Sequence, residues 1–205
     1  MKKQTKGVSK NGTASKPAPK PQPKIKPIQQ GPQMMNSMME KLFLDQLKDL
    51  YYVEKTLVKA LGKMVKRATT EELSNIFLEH QEVTQQQLGR LDQIFEILGK
   101  RAQAKRCPAI DGLMEEAEEL MSETEEDTLT RDVALIVTAQ KVEHYEIASY
   151  GCLSTLARTY GMDEVAELLQ ESLEEEKDAD QQLTYIAENN INFEAGQEEV
   201  EEEER

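Results

Sequence analysis

The stretch KRAQAKRCPAIDGLMEEAEELMSETEEDTL, residues 100–129, decides the fold. It separates two long regions of helical hydrophobic periodicity. An up-down-up-down bundle needs only short loops between consecutive helices, whereas a connection of this length carries the chain from one end of a bundle to the other. Within it, Pro108 is placed to start a short helix that runs to about Met121.

On the N-terminal side of this connection, a first helix is expected from about Ser37 to Ala68, with Phe43, Leu47, Leu50, Leu57, Leu61 and Met64 on one stripe. Thr69-Thr70-Glu71-Glu72 reads as a capping box opening a second helix to about Leu98, which Gly99 closes. On the other side, a third helix runs from about Thr130 to Tyr160. Gly161 ends it, and Asp163 is placed to cap a fourth helix to about Asn189. Two antiparallel hairpins joined by one long crossover define an all-α, ferritin-like antiparallel four-helix bundle, with a short fifth helix in the crossover.

Composition frames this domain. Leu, Met, Ala and Glu are frequent and Trp is absent, a mix that favours helices. The net charge of -14 hides an asymmetry: residues 1–36 carry eight lysines and no acid, leaving -22 on the rest of the chain. So acidic a folded part is ill suited to bind nucleic acid. The sequence divides into a Lys/Pro-rich arm over 1–36, a bundle over 37–192 and an acidic tail over 193–205, with both ends expected to be disordered. Residues 1–33 could tether weakly to nucleic acid or another anionic surface, although a solubilising arm is the simpler expectation. Two isolated cysteines, Cys107 and Cys152, make no disulfide framework and no zinc-thiolate motif. The basic N-terminus lacks the apolar core of a secretory signal, and no apolar run is long enough to span a membrane. A soluble, cytoplasmic protein is expected.

The ionisable residues on the apolar stripes point to chemistry. At about 100° per residue, Glu54 falls within about 60° of Leu47, Leu50, Leu57 and Leu61, while Lys41, Lys48, Lys59, Lys63 and Lys66 lie on the opposite face. On the second helix His80 is centred among Leu73, Ile76, Phe77, Thr84, Gln87 and Leu91, and Glu79 and Glu82 point off the stripe. On the third, Glu143 sits among Ile136, Ala139, Ile147 and Tyr150, and Glu146 shares that face while His144 points away. On the fourth, Glu176 and Asp180 align with Val165, Leu169, Leu173 and Leu183, with Glu174 and Glu175 to the side.

These positions also match in height. From the turn at Thr69, Glu54 lies fifteen residues before and His80 eleven after, a mismatch of about one helical turn. From Gly161, Glu146 lies fifteen before and Glu176 fifteen after, and Glu143 and Asp180 are eighteen and nineteen away. Five inward carboxylates without partners would be prohibitive, since one uncompensated buried charge costs several kcal/mol. A wet seam or a dimer interface could relieve Glu54 and Glu146. Two divalent cations would relieve all of them, and hard oxygen ligands with one imidazole suit iron or manganese. The expected metal set is Glu54, His80, Glu143, Glu146, Glu176 and Asp180, with two Fe or Mn ions per chain.

The segments LFLDQLKDLYYVEKTLVKAL (42–61), EHQEVTQQQLGRLDQIFEILG (79–99), AQKVEHYEIASYG (139–151) and LLQESLEEEKDADQQL (168–183) resemble the YciE/YciF-type bacterial stress proteins over about Glu40 to Asn192. That resemblance implies kinship with the rubrerythrin, bacterioferritin and manganese-catalase superfamily, and a homodimer. The superfamily's ligand pattern is a Glu on helices one and three and an ExxH motif on helices two and four. No ExxH occurs here: helix two offers His80 alone, and helix four offers Glu176 with Asp180. This departure argues against ferroxidase chemistry of the usual kind more than against metal binding.

The leading functional expectation is a di-metal oxidoreductase or stress protein acting on peroxide or oxygen. Glu54, Glu143, Glu146 and Glu176 would ligate or bridge, His80 and Asp180 would be terminal, and Thr84, Gln87 and Tyr150 are placed to support the ligands. No catalytic residue is assigned. The alternatives are a non-enzymatic protective dimer with structural or transiently stored metal, and a bundle recruited to nucleic acid by its arm.

Overall fold

Residues 35–198 are described in the computed structural model, so most of the basic arm and the last seven residues of the acidic tail lie outside the described part. The order is α1 (Ser37–Arg67), α2 (Glu71–Ile97), α3 (Pro108–Ser122), α4 (Leu129–Thr159), α5 (Asp163–Ile186), a π-helical turn (Ala187–Ile191) and α6 (Asn192–Ala195). Among the described residues there is no strand, as the 3.6-residue periodicity requires. Helical structure continues through Asn192–Ala195, past the point where the sequence suggested an acidic tail.

Local chemistry sets the helix ends. Asn36 opens α1 by accepting from the Met38 and Met39 amides at 3.1 and 2.9 Å. Gly99 and Gly161 take φ of 63° and 71°. Each supports a pair of closing bonds, Lys100 to the Phe95 carbonyl in one case and Met162 to Ala157 in the other, both 2.9 Å. Two expected caps differ. Asp163 is the first helical residue of α5, preceded by Met162, and no side chain caps that end. At the start of α2 no reciprocal box forms. Thr70 is the cap, accepting from the Leu73 amide at 3.4 Å, and its second partner comes from elsewhere in the chain.

That partner is Asp132, fully buried in the first turn of α4. Its carboxylate accepts from the Thr69 amide at 2.7 Å, the Thr70 amide at 2.9 Å and the Thr70 hydroxyl at 2.7 Å. The α1–α2 turn is thereby fastened to the start of α4, and the same end of the molecule holds both. At the other end, the Lys105 amide donates to the Lys48 carbonyl at 3.0 Å, so the crossover begins beside the lower part of α1. It then climbs along α1 and α4: Tyr52 donates to Asp111 at 2.8 Å near the start of α3, and Arg67 to Glu118 at 3.0 Å near its end.

The four long helices close into a ring, α1 against α2 and α4, and α5 against α2 and α4. Neighbouring helices run antiparallel: short turns join α1 to α2 and α4 to α5, and the start of α4 meets the turn after α1 through Asp132 while Tyr150, later in α4, meets Glu54, earlier in α1. Gln81 reaches Val58 between α2 and α1, Ser154 reaches Ala166 between α4 and α5, and Asn190 reaches Glu72 between the end of α5 and α2. The core is layered. Phe43, Leu47, Leu50, Leu91, Phe95, Leu153 and Leu169 fill one end; Leu61, Leu73, Phe77, Leu135, Leu183 and Ile186 fill the other. Each such side chain contributes about 1.5–3 kcal/mol on burial. Between the two apolar layers lies a belt of buried polar residues.

Asp132→Ala leaves two backbone amides without acceptors at a half-buried turn. It is expected to cost about 2–3 kcal/mol in urea denaturation of the metal-free protein, far more than removal of the exposed Glu72 carboxylate that sequence alone assigned to this cap.

Candidate metal centre

The belt is built at mid-helix. Glu54 from α1, His80, Thr84 and Gln87 from α2, Glu143, Glu146 and Tyr150 from α4, and Glu176 from α5 are all buried. His80, Glu143, Glu146 and Glu176 each bring one ligand atom to within 4.8 Å of all the others. His80 Nε2 lies 3.4 Å from Glu143 and 3.6 Å from Glu176. Glu54 lies outside that group of four, beside Glu146.

Two supports expected from sequence are in place. The Tyr150 hydroxyl donates to Glu54, and the Gln87 amide donates to Glu176. Thr84 instead donates to the His80 carbonyl one turn back, at 2.9 Å, and so serves its own helix. Asp180 is also elsewhere. It sits one turn beyond Glu176, and four residues advance a helix by about 400°, so it is rotated by about 40° toward α4. Its carboxylate lies 3.3 Å from His144 Nε2 and 3.4 Å from the Gln140 amide, outside the cluster of four. Of the six sequence-derived positions, four therefore converge within ligand distance, Glu54 is adjacent to them, and Asp180 is outside. Glu175, which the helical phase set aside, joins the belt's edge: it accepts from Gln87 at 3.1 Å and takes two bonds of 2.6 Å from Arg90. Arg90, three residues after Gln87 on α2, gives no hint of this in sequence, because the pairing depends on where α5 lies.

Electrostatics is the belt's salient property. Glu54 Oε2, Glu143 Oε2, both oxygens of Glu146 and Glu176 Oε2 are buried and receive no hydrogen bond. Among the described residues no Lys or Arg pairs with these four glutamates; Arg90 is spent on Glu171 and Glu175. Burial, reinforced by the charge of Glu176, pushes Glu54, Glu143 and Glu146 well above the ordinary glutamate value. Burial pushes Tyr150 up as well, and holds His80 below its ordinary value despite the pull of Glu176 and Glu175.

A dry group of acceptors with a single imidazole and no organic cation is the donor set of a hard divalent metal, and the residues fit such an ion. Oxygens of Glu143, Glu146 and Glu176 converge with the His80 imidazole closely enough to share a cation. A hydrogen-bonded structural network would have placed donors there instead.

Comparison with known proteins agrees with the fold. Residues 38–196 match the family described as a domain of unknown function, DUF892, and the chain belongs to that family. It is 46% identical to protein YciF of Escherichia coli K12 over 158 residues, covering 77% of this chain and 95% of YciF. The crystal structure of the E. coli stress protein YciF superposes with a TM-score of 0.72 at 46% identity, covering 77% of this chain and 99% of that one. YcfI of Rhodopseudomonas palustris gives 0.69 at 42% identity, over 77% and 97%. The YciF-type resemblance seen in the sequence is thus correct.

Without metal, the raised carboxyls contribute stability that is full below the ordinary glutamate value near 4.5 and is lost as pH rises through their raised values. His80 acts oppositely, its contribution being full above the ordinary value of 6.5 and lost as pH falls through its lowered one. Three carboxyls outweigh one imidazole. The melting temperature of chelator-treated protein is expected to be lower at pH 8 than at pH 5.5, and the difference to shrink in E54Q/E143Q/E146Q.

Proposed function

We propose that this chain is a stress protein whose buried belt holds two iron or manganese ions and applies them to a small oxidant, peroxide or dioxygen. The observation that carries the proposal is the set of five buried, unpaired carboxylate oxygens beside one imidazole. Left charged and unpaired, such groups oppose folding by several kcal/mol each.

His80, Glu143, Glu146 and Glu176 would hold one ion. Glu54, with Glu146 and Glu176, would hold the second, the latter two being shared. Iron or manganese in such a carboxylate-rich setting would supply redox equivalents for peroxide or oxygen chemistry. The chain's own contribution is to orient and to exclude. Gln87 and Tyr150 each fix a carboxylate through one donated hydrogen bond, leaving its other oxygen free. The apolar layers above and below keep bulk water from the belt. Asp180 is set aside as a ligand because His144 and Gln140 engage it. The family's stress protein YciF supports the physiological setting, and a homodimer is proposed on the same resemblance. Among the described residues no helix is long and apolar enough to cross a membrane.

Elemental analysis of purified protein is expected to find about two Fe or Mn per chain. E54A/E176A should retain at most a small fraction of that metal while keeping its helical circular dichroism. Undiminished metal in the double variant would remove the assignment. Loaded protein should consume peroxide faster than an equal amount of free metal; equal rates would leave a structural or stored metal in place of an oxidoreductase.

A further inference from the structure

The belt touches the outside at one edge. His80 keeps 8% of its surface exposed, whereas Glu54, Glu146 and Glu176 keep 1% or less. That edge opens into a cavity of about 200 Å³ between α2 and α5. His80 and Glu143 form its inner wall, and Glu143 presents a buried carboxylate with an oxygen that no donor satisfies. Its rim carries Glu79 and Asp178, both exposed, and the half-buried Glu175. Glu175 is compensated by Arg90. Among the described residues, Glu79 and Asp178 have no ion-pair partner, and no Lys or Arg lines the cavity.

A second void meets His80 and Glu143 from the opposite side. It measures about 20 Å³, room for roughly one water, and its other walls are mainly apolar: Leu57, Leu61, Met64, Met114 and Val142. A hydrated divalent ion would have to shed its water there against hydrocarbon, with nothing to replace it. On the α2–α5 side, the same ion meets carboxylate oxygens at the rim and again at the inner wall.

We infer that the α2–α5 cavity is the loading passage for divalent cations, with Glu79 and Asp178 as the capturing residues and His80 with Glu143 as the first ligands reached. The inference rests on the metal centre proposed above and adds a route and a cation-selective mouth to it. Two uncompensated carboxylates at a concave opening concentrate cations and speed their capture, and salt within about a Debye length screens the effect. The same charges disfavour anions, so the passage also discriminates between ligands by sign.

Mn²⁺ uptake by metal-free, full-length protein tests this, followed by loss of the free-ion electron paramagnetic resonance signal after rapid mixing. E79Q/D178N is expected to slow uptake by about 5- to 20-fold at low ionic strength, with the deficit fading at high salt and the amount bound at equilibrium unchanged. E115Q/E119Q makes the same change in net charge on α3 and should leave the rate within about twofold of the parent. Parental rates in E79Q/D178N would overturn the passage while leaving the metal centre standing. Equal slowing in E115Q/E119Q would also overturn it, by assigning the effect to the protein's overall field. A parent protein that takes up no Mn²⁺ would overturn the centre and its passage together.

Discussion

Bringing four glutamates and a histidine together away from water is the costliest thing this chain does, and most of its architecture can be understood as the means of tolerating it. Each carboxylate desolvated without a partner opposes folding by several kcal/mol, a sum that rivals the net stability of a small domain. Apolar layers on both sides of the belt supply the opposing term, with Phe43, Leu47, Leu91 and Phe95 below and Leu61, Leu73, Phe77 and Leu183 above. The ring of antiparallel neighbours matters too. It places an inward position from each of four helices at one height, which two helices alone could not do.

The donors that do reach the belt are sparing. Gln87 and Tyr150 each satisfy one oxygen and leave its twin free. Arg90 is held by Glu171 and Glu175, so it fixes Glu175 and is not free to neutralise Glu176. A protein built only for stability would gain by turning that guanidinium inward or by replacing the acids with leucine. Retaining unpaired acids in the driest part of the molecule is the feature on which the proposed metal-binding function rests.

Much of this is legible in the sequence, for a definite reason. In a long straight helix the face of each residue follows from counting, so Glu54, His80, Glu143, Glu146 and Glu176 could be sorted from Glu82 and His144 by phase alone. Height followed from the two short turns. Features that depend on the spacing of neighbouring helices were not legible. Asp180 shares the stripe in projection, yet its 40° drift and the reach of His144 draw it outward. Asp132 carries no mark in the sequence beyond being an acid in the first turn of α4, and it is the return of the chain across the crossover that makes it the cap of a turn some sixty residues earlier. Glu79 and Asp178 flank the stripe and acquire a role through the gap between α2 and α5.

The belt residues all lie about two turns or more from the ends of their helices. Helices open from their ends, and partial unfolding spreads inward from loops and termini. Backbone amides at Glu54, His80, Glu143 and Glu176 should therefore be among the last to exchange with solvent, and the ligand frame should survive fraying of the turn at Gly161 or of the segment after Ile186. Freedom at such a centre resides in side-chain torsions alone. A glutamate can swing its carboxylate about a fixed Cα, so this scaffold permits ligands to trade places without any hinge motion of the bundle that carries them.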